Sequence, residues 1–124
     1  MMNLDIVLFI LLSLAVKHFL VDYPLQRPYQ YKNKGTYLHP GGLLHAGLHG
    51  VGTWIALAWF VTPKVAVVTA IIDFIVHYHI DWAKMKLNTK LGYDPLTHDK
   101  FWWLFGLRQL LHTLTYITFI WYLL

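Results

Sequence analysis

The sequence predicts an all-α fold: a polytopic membrane protein built as an antiparallel bundle of four transmembrane helices. Three observations predict it. The 124 residues are 57% hydrophobic and 17% aromatic but only 13% charged, outside the usual range of soluble domains. The apolar residues gather into stretches of about 20, the length that crosses hydrocarbon. The lysines and arginines gather mainly between those stretches.

Each element follows from local signals. The first helix is expected over residues 4–23, nearly uncharged until Lys17, which is expected to snorkel to the interface. A secretory signal peptide is the rival reading. No basic residue precedes the apolar run, however, and no small-x-small cleavage pattern follows it. Residues 24–41, rich in proline, tyrosine and glycine, form a loop. The second helix is expected over 42–62, which is 21 residues without a formal charge. Thr62-Pro63 then reads as an N-cap followed by proline at the first helical position, opening a third helix over 63–83. Gly92 and Asp94-Pro95 mark a second loop over 84–100, and Asp99 is the expected N-cap of a fourth helix over 101–124. The whole chain, 1–124, reads as a single membrane domain, and short connections make an antiparallel bundle its default form.

Loop charges orient the bundle. The first loop carries Arg27, Lys32 and Lys34, and the second carries Lys84, Lys86, Lys90 and Lys100. Only Lys64 lies on the opposite side. The positive-inside rule therefore places both loops in the cytoplasm and both termini outside. The net charge of +4 is thus topological, and nucleic acid is not an expected partner. The chain has no cysteine, which excludes disulfides and thiolate metal sites. It also has no glutamate: all six acids are aspartates.

This topology collects scattered polar residues at one depth. His18 and Asp22 lie near the cytoplasmic end of the first helix, His45 and His49 begin the second, and His77 and Asp81 close the third with Asp73 one turn deeper. Arg108, Gln109 and His112 occupy the cytoplasmic half of the fourth. At 1.5 Å rise per residue, most lie within roughly 3–16 Å of the cytoplasmic helix ends. The pairs 18/22, 45/49, 73/77/81 and 108/112 are spaced i, i+4, so each set shares a helix face, and Lys84 extends the third stripe. Ionisable groups cost a few kcal/mol each in hydrocarbon, roughly 2.5–3.5 on insertion scales, and rarely persist without partners or a role.

Imidazole and carboxylate are the ligand set for zinc, iron or manganese, and bundle interiors are where helical proteins build such sites. His18, Asp22, His45, His49, Asp73, His77 and Asp81 are the candidate ligands, with zinc the favoured divalent ion. A metal-free polar relay and simple interhelical bonding are the competing explanations. His39, His79 and His98 fall outside the stripes and read as solvated or interfacial. The tryptophans suit interfacial belts. Tyr23, Tyr29, Tyr31 and Tyr37, interleaved with Arg27, Lys32 and Lys34, read as a loop anchored at the interface, with an anionic headgroup site as the alternative.

Three segments carry a family resemblance: Lys17-His18-Phe19-Leu20-Val21-Asp22-Tyr23-Pro24-Leu25-Gln26, then Asp73-Phe74 through His77-Tyr78 to Asp81-Trp82 and Lys84, then Phe105-Gly106-Leu107-Arg108-Gln109-Leu110-Leu111-His112. In this order they resemble a small membrane-protein family of bacteria and phages, catalogued as domain of unknown function 3307. The resemblance implies a membrane protein of unassigned activity, and the location expected for it is the bacterial inner membrane. It also implies an aspartate where this chain has Arg108, so that position is not carried over as a ligand.

The leading expectation is a membrane-embedded, metal-dependent hydrolase opening to the cytoplasm. Asp22 or Asp81 would act as base, Lys84 and His112 as further catalytic groups, and Lys84, Arg108 and Gln109 as substrate contacts. Its partners would be the bilayer and an inner-leaflet lipid or phosphorylated small molecule, with a homodimer left open. The alternatives are a proton or metal-ion transporter, a phage membrane effector that binds a host protein, and a di-iron oxygenase or desaturase.

Overall fold

Capping chemistry sets the helix ends. The structure, a computed structural model, describes residues 3–124. α1 spans Leu4–Asp22, started by Asn3, whose side chain accepts from the Asp5 N–H at 2.7 Å. A short α2, Pro28–Tyr31, interrupts the first loop. α3 spans Pro40–Leu57. It starts two residues earlier than expected because Pro40 takes the first helical position and His39 Nδ1 accepts from the Gly41 N–H at 3.0 Å. It also ends five residues sooner, in a turn that leads to Thr62. That residue caps α4 as expected, accepting from the Val65 N–H.

α4 spans Pro63–Leu91, eight residues beyond the expected end. Lys84, Lys86 and Lys90 therefore lie on helix, not in a loop. The sequence from Ala83 to Leu87 consists of good helix formers, and the stop signal comes only at Gly92, whose φ of 67° suits a left-handed C-cap. α5 spans Asp99–Leu123, and its N-cap is His98 rather than Asp99. Asp94 instead organises the preceding turn, accepting from the Leu96 and Thr97 N–H groups. There is no strand among the described residues.

α1 packs on α3 and α5, α3 on α4, and α4 on α5, so the four long helices close a ring. Small residues let α3 and α4 approach closely: a Cβ added at Gly50 would lie 3.1 Å from the Ala70 carbonyl oxygen. One end of the ring is filled by an apolar cluster of Ile10, Leu14, Leu57, Ala66, Phe119 and Ile120, with the Tyr116 ring at its edge. The polar residues occupy the other half.

Two helices, α1 and α4, are long and apolar enough to cross a membrane. Four were expected. The hydropathy of α3 is diluted by glycines and histidines, and that of α5 by Asp99, Lys100 and Arg108. All four nevertheless present apolar side chains outward, among them Phe9, Leu12, Ile55, Ile71, Leu110 and Ile117.

Candidate functional site

Each helix delivers its polar stripe to one buried cluster. Asp22 comes from α1, His45 and His49 from α3, His77 and Asp81 from α4, and Arg108 and His112 from α5; all are buried. His18 lies at the edge, partly exposed. Two groups bring ligand atoms within 4.8 Å of one another: Asp22, His45, His49 and His77, and His77, Asp81 and His112. Buried His/Asp groups of this kind could hold a metal ion.

Hydrogen bonds separate the atoms that are already occupied from those that are not. Asp22 is saturated. Its Oδ1 accepts from His49 Nε2 at 2.8 Å, and its Oδ2 faces His18 Nε2 at 3.0 Å and Gln109 Nε2 at 3.3 Å. Asp81 is saturated on one side only: Oδ1 accepts from Arg108 Nη1 at 2.9 Å and from His112 Nε2 at 3.0 Å. Asp81 Oδ2 has no hydrogen-bond partner, nor do His45 Nε2 and either ring nitrogen of His77. Yet Asp81 Oδ2 lies 3.4 Å from both His45 Nε2 and His77 Nε2.

The His45 tautomer follows from its other nitrogen. Nδ1 lies 3.3 Å from Gln30 Oε1, an acceptor only, so Nδ1 carries the proton and Nε2 presents a bare lone pair. That lone pair faces two carboxylates, Asp81 Oδ2 and Asp22 Oδ1, the latter at 3.1 Å without hydrogen-bond geometry. Acceptors that converge without protons between them are repulsive unless a cation sits among them; the Lys34 ammonium, 3.2 Å from Asp81 Oδ2, is one such cation, and a metal ion would be another. Metal–nitrogen bonds of about 2.0–2.1 Å in tetrahedral array place ligand atoms about 3.3–3.4 Å apart, so the spacing fits. The His77 ring is also sandwiched between His49 and His112, with centroids 3.6 and 3.8 Å away.

Several expected site residues have other duties. Asp73 is withdrawn from the ligand set by Lys17 at 2.9 Å and by the Thr53 hydroxyl at 2.5 Å. Lys17 does not snorkel; it is buried and also reaches Tyr116 Oη at 2.9 Å and His49 Nδ1 at 3.2 Å. His18 bonds Tyr116 Oη at 2.8 Å and Gln109 Oε1 at 2.7 Å, outside both candidate groups. Lys84 does not enter the cluster, its ammonium lying 4.7 Å from the Phe101 ring centroid. Lys34 takes the place expected of it, 3.2 Å from Asp81 Oδ2. Burial pushes the Lys34 ammonium below its usual pKa, against the pull of Asp81.

Lys34, Gln30, Lys17, Thr53 and Tyr116 were thus missed as parts of the network. One signal existed for Lys17: it falls on the helical stripe of Ile10, Leu14 and Val21, all of them buried. Lys34 and Gln30 stand in the first loop, where no periodicity points inward. Of the histidines set aside, His39 and His98 hold N-cap positions, and His79 bonds Tyr37 Oη at 3.1 Å, away from the cluster.

A family model described as protein of unknown function (DUF3307) matches residues 8–124. No curated protein and no solved structure matches the chain.

Proposed function

The chain belongs to the DUF3307 family of proteins of unknown function, and from its buried histidines and aspartates we propose a membrane-embedded, metal-dependent hydrolase with a site opening to the cytoplasm. The observation that carries this is the meeting of the buried His45 Nε2, His77 Nε2 and Asp81 Oδ2: both ring nitrogens lack a hydrogen-bond partner and lie 3.4 Å from Asp81 Oδ2, which also pairs with Lys34 at 3.2 Å. Two histidines and one carboxylate with an open fourth position form a ligand set of catalytic zinc; iron and manganese accept the same donors. Such an ion supplies Lewis acidity and lowers the pKa of coordinated water to about 7.

The protein groups divide the remaining work. Arg108 and His112 hold Asp81 Oδ1 and so aim Oδ2 inward, while Gln30 fixes the His45 tautomer. His49 and Gln109 steady Asp22, whose Oδ1 is placed beside the ligand atoms to take a proton from the attacking water. The outward apolar surface supports membrane spans, and the excess of lysine and arginine in the two loops supports an orientation with both termini outside the bacterial inner membrane.

Elemental analysis of detergent-purified protein tests the proposal. Wild type carries close to one zinc per chain, and His45→Ala and His77→Ala reduce it to trace while helicity by circular dichroism is unchanged. Trace metal in the wild type overturns it.

One observation favours a second reading, a metal-free proton relay for transport. Three buried aspartates, Asp22, Asp73 and Asp81, are matched by three buried cations, Lys17, Lys34 and Arg108. The relay ranks lower because the apolar cluster from Ile10 to Ile120 offers no continuation across the other half. Proton flux into liposomes that is lost in His77→Ala would reverse the order.

A further inference from the structure

The charge count that favours the second reading has a different consequence once a metal is bound. Asp22, Asp73 and Asp81 are already balanced by Lys17, Lys34 and Arg108, and the histidines add no negative charge. A divalent ion therefore leaves the buried cluster two charges positive. Uncompensated charge is expensive away from water, and a doubly negative ligand restores neutrality.

Two cationic side chains near Asp81 keep donors that no carboxylate uses. Arg108 uses Nη1 on Asp81, but its Nε is buried with no hydrogen-bond partner. Lys84, one turn along α4 from Asp81, has no carboxylate partner among the described residues; its ammonium has only the Met85 sulfur, at 3.8 Å. Both lie near the Phe105 ring, whose centroid is 5.9 Å from Lys84 Nζ and 5.2 Å from the Arg108 guanidinium carbon. Paired donors of this kind suit tetrahedral oxyanions.

We propose that Lys84 and the Nε edge of Arg108 form a subsite for a phosphate dianion, so that the substrate class is a phosphomonoester. This rests on the metal reading above and assigns its substrate group. The phosphate would come from a lipid headgroup or from a soluble metabolite, and the test separates these sources.

Full-length protein loaded with zinc is titrated with inorganic phosphate and, separately, placed in phosphatidylcholine nanodiscs with or without phosphatidic acid. Zinc retention against a chelator is read in each case. Because coupling between two ligands is reciprocal, phosphate tightens zinc retention by about tenfold or more. Lys84→Ala keeps the wild-type zinc content but loses about tenfold or more of phosphate affinity, and Lys84→Arg keeps most of it. Tightening by phosphatidic acid alone assigns a lipid headgroup; tightening by inorganic phosphate assigns a soluble source. Equal zinc retention with and without either phosphate overturns the subsite, as does unchanged tightening in Lys84→Ala. A zinc-free wild type is a separate failure, that of the metal reading. Phosphate binding to the zinc-free protein then decides the subsite: loss in Lys84→Ala retains it, and no binding overturns it.

Discussion

The Lys17 ammonium directs its three protons at three acceptors, Asp73 Oδ2, Tyr116 Oη and His49 Nδ1. With all three placed, His49 Nδ1 is an acceptor, so Nε2 bears the proton that Asp22 receives. A single lysine thereby fixes the tautomer of a histidine on another helix. Removing one member of a buried ion pair costs about 3–5 kcal/mol because the other charge stays behind. Lys17→Met is expected to destabilise by that amount, and the double change Lys17→Met/Asp73→Asn to recover most of it, read by thermal unfolding in detergent. Equal stability of the single and double variants would show that the pair carries no such coupling. At this scale the i, i+4 stripes made most of the cluster legible, since Asp22, His45, His49, His77, Asp81 and His112 do converge. The stripe rule misassigned Asp73 because spacing places a residue on a face without naming its partner. Lys17 was misread because a charge in an apolar helix was sent to the nearest interface, although its own stripe is buried.

At the scale of elements, the site depends on how closely α3 and α4 lie. Gly50 stands where the helices touch, its missing Cβ 3.1 Å from Ala70 O and 3.2 Å from Phe74 Cβ. His45 and Asp81 meet only at this separation. Gly50→Leu is expected to push the helices apart, costing about 1–3 kcal/mol and lowering metal content together. If metal content held while stability fell, the site would not depend on that contact. Gly52 makes a second opening, since a Cβ there would fall 2.4 Å from Lys17 Cγ. Existence and order of the four long helices were readable from hydropathy and turn signals. Their ends were not, because α4 continues past the apolar stretch on helix propensity alone until Gly92. Nor was the inward reach of the first loop, whose Lys34 and Gln30 are buried against the cluster.

At the scale of the whole molecule, the described residues enclose a polar half and an apolar half and carry many apolar side chains outward, which a soluble bundle seldom does. Orientation is the expectation that this pattern leaves to the loop charges. Because the chain has no cysteine, single cysteines report position without background. Lys64→Cys is expected to react with an impermeant maleimide in intact cells, and Lys32→Cys and Lys90→Cys only after permeabilisation. The opposite labelling pattern would invert the proposed topology and turn the site outward.

The apolar cluster of Ile10, Leu14, Leu57, Phe119 and Ile120 has a consequence for the cell that houses such a bundle. In the proposed topology it would be an electrical insulator in series with the polar cluster. Protons would reach the histidines from one compartment only, and the voltage across the bilayer would fall mainly over the insulating half. A cell would then carry many copies of such a bundle without discharging the ion gradient on which its energy supply depends.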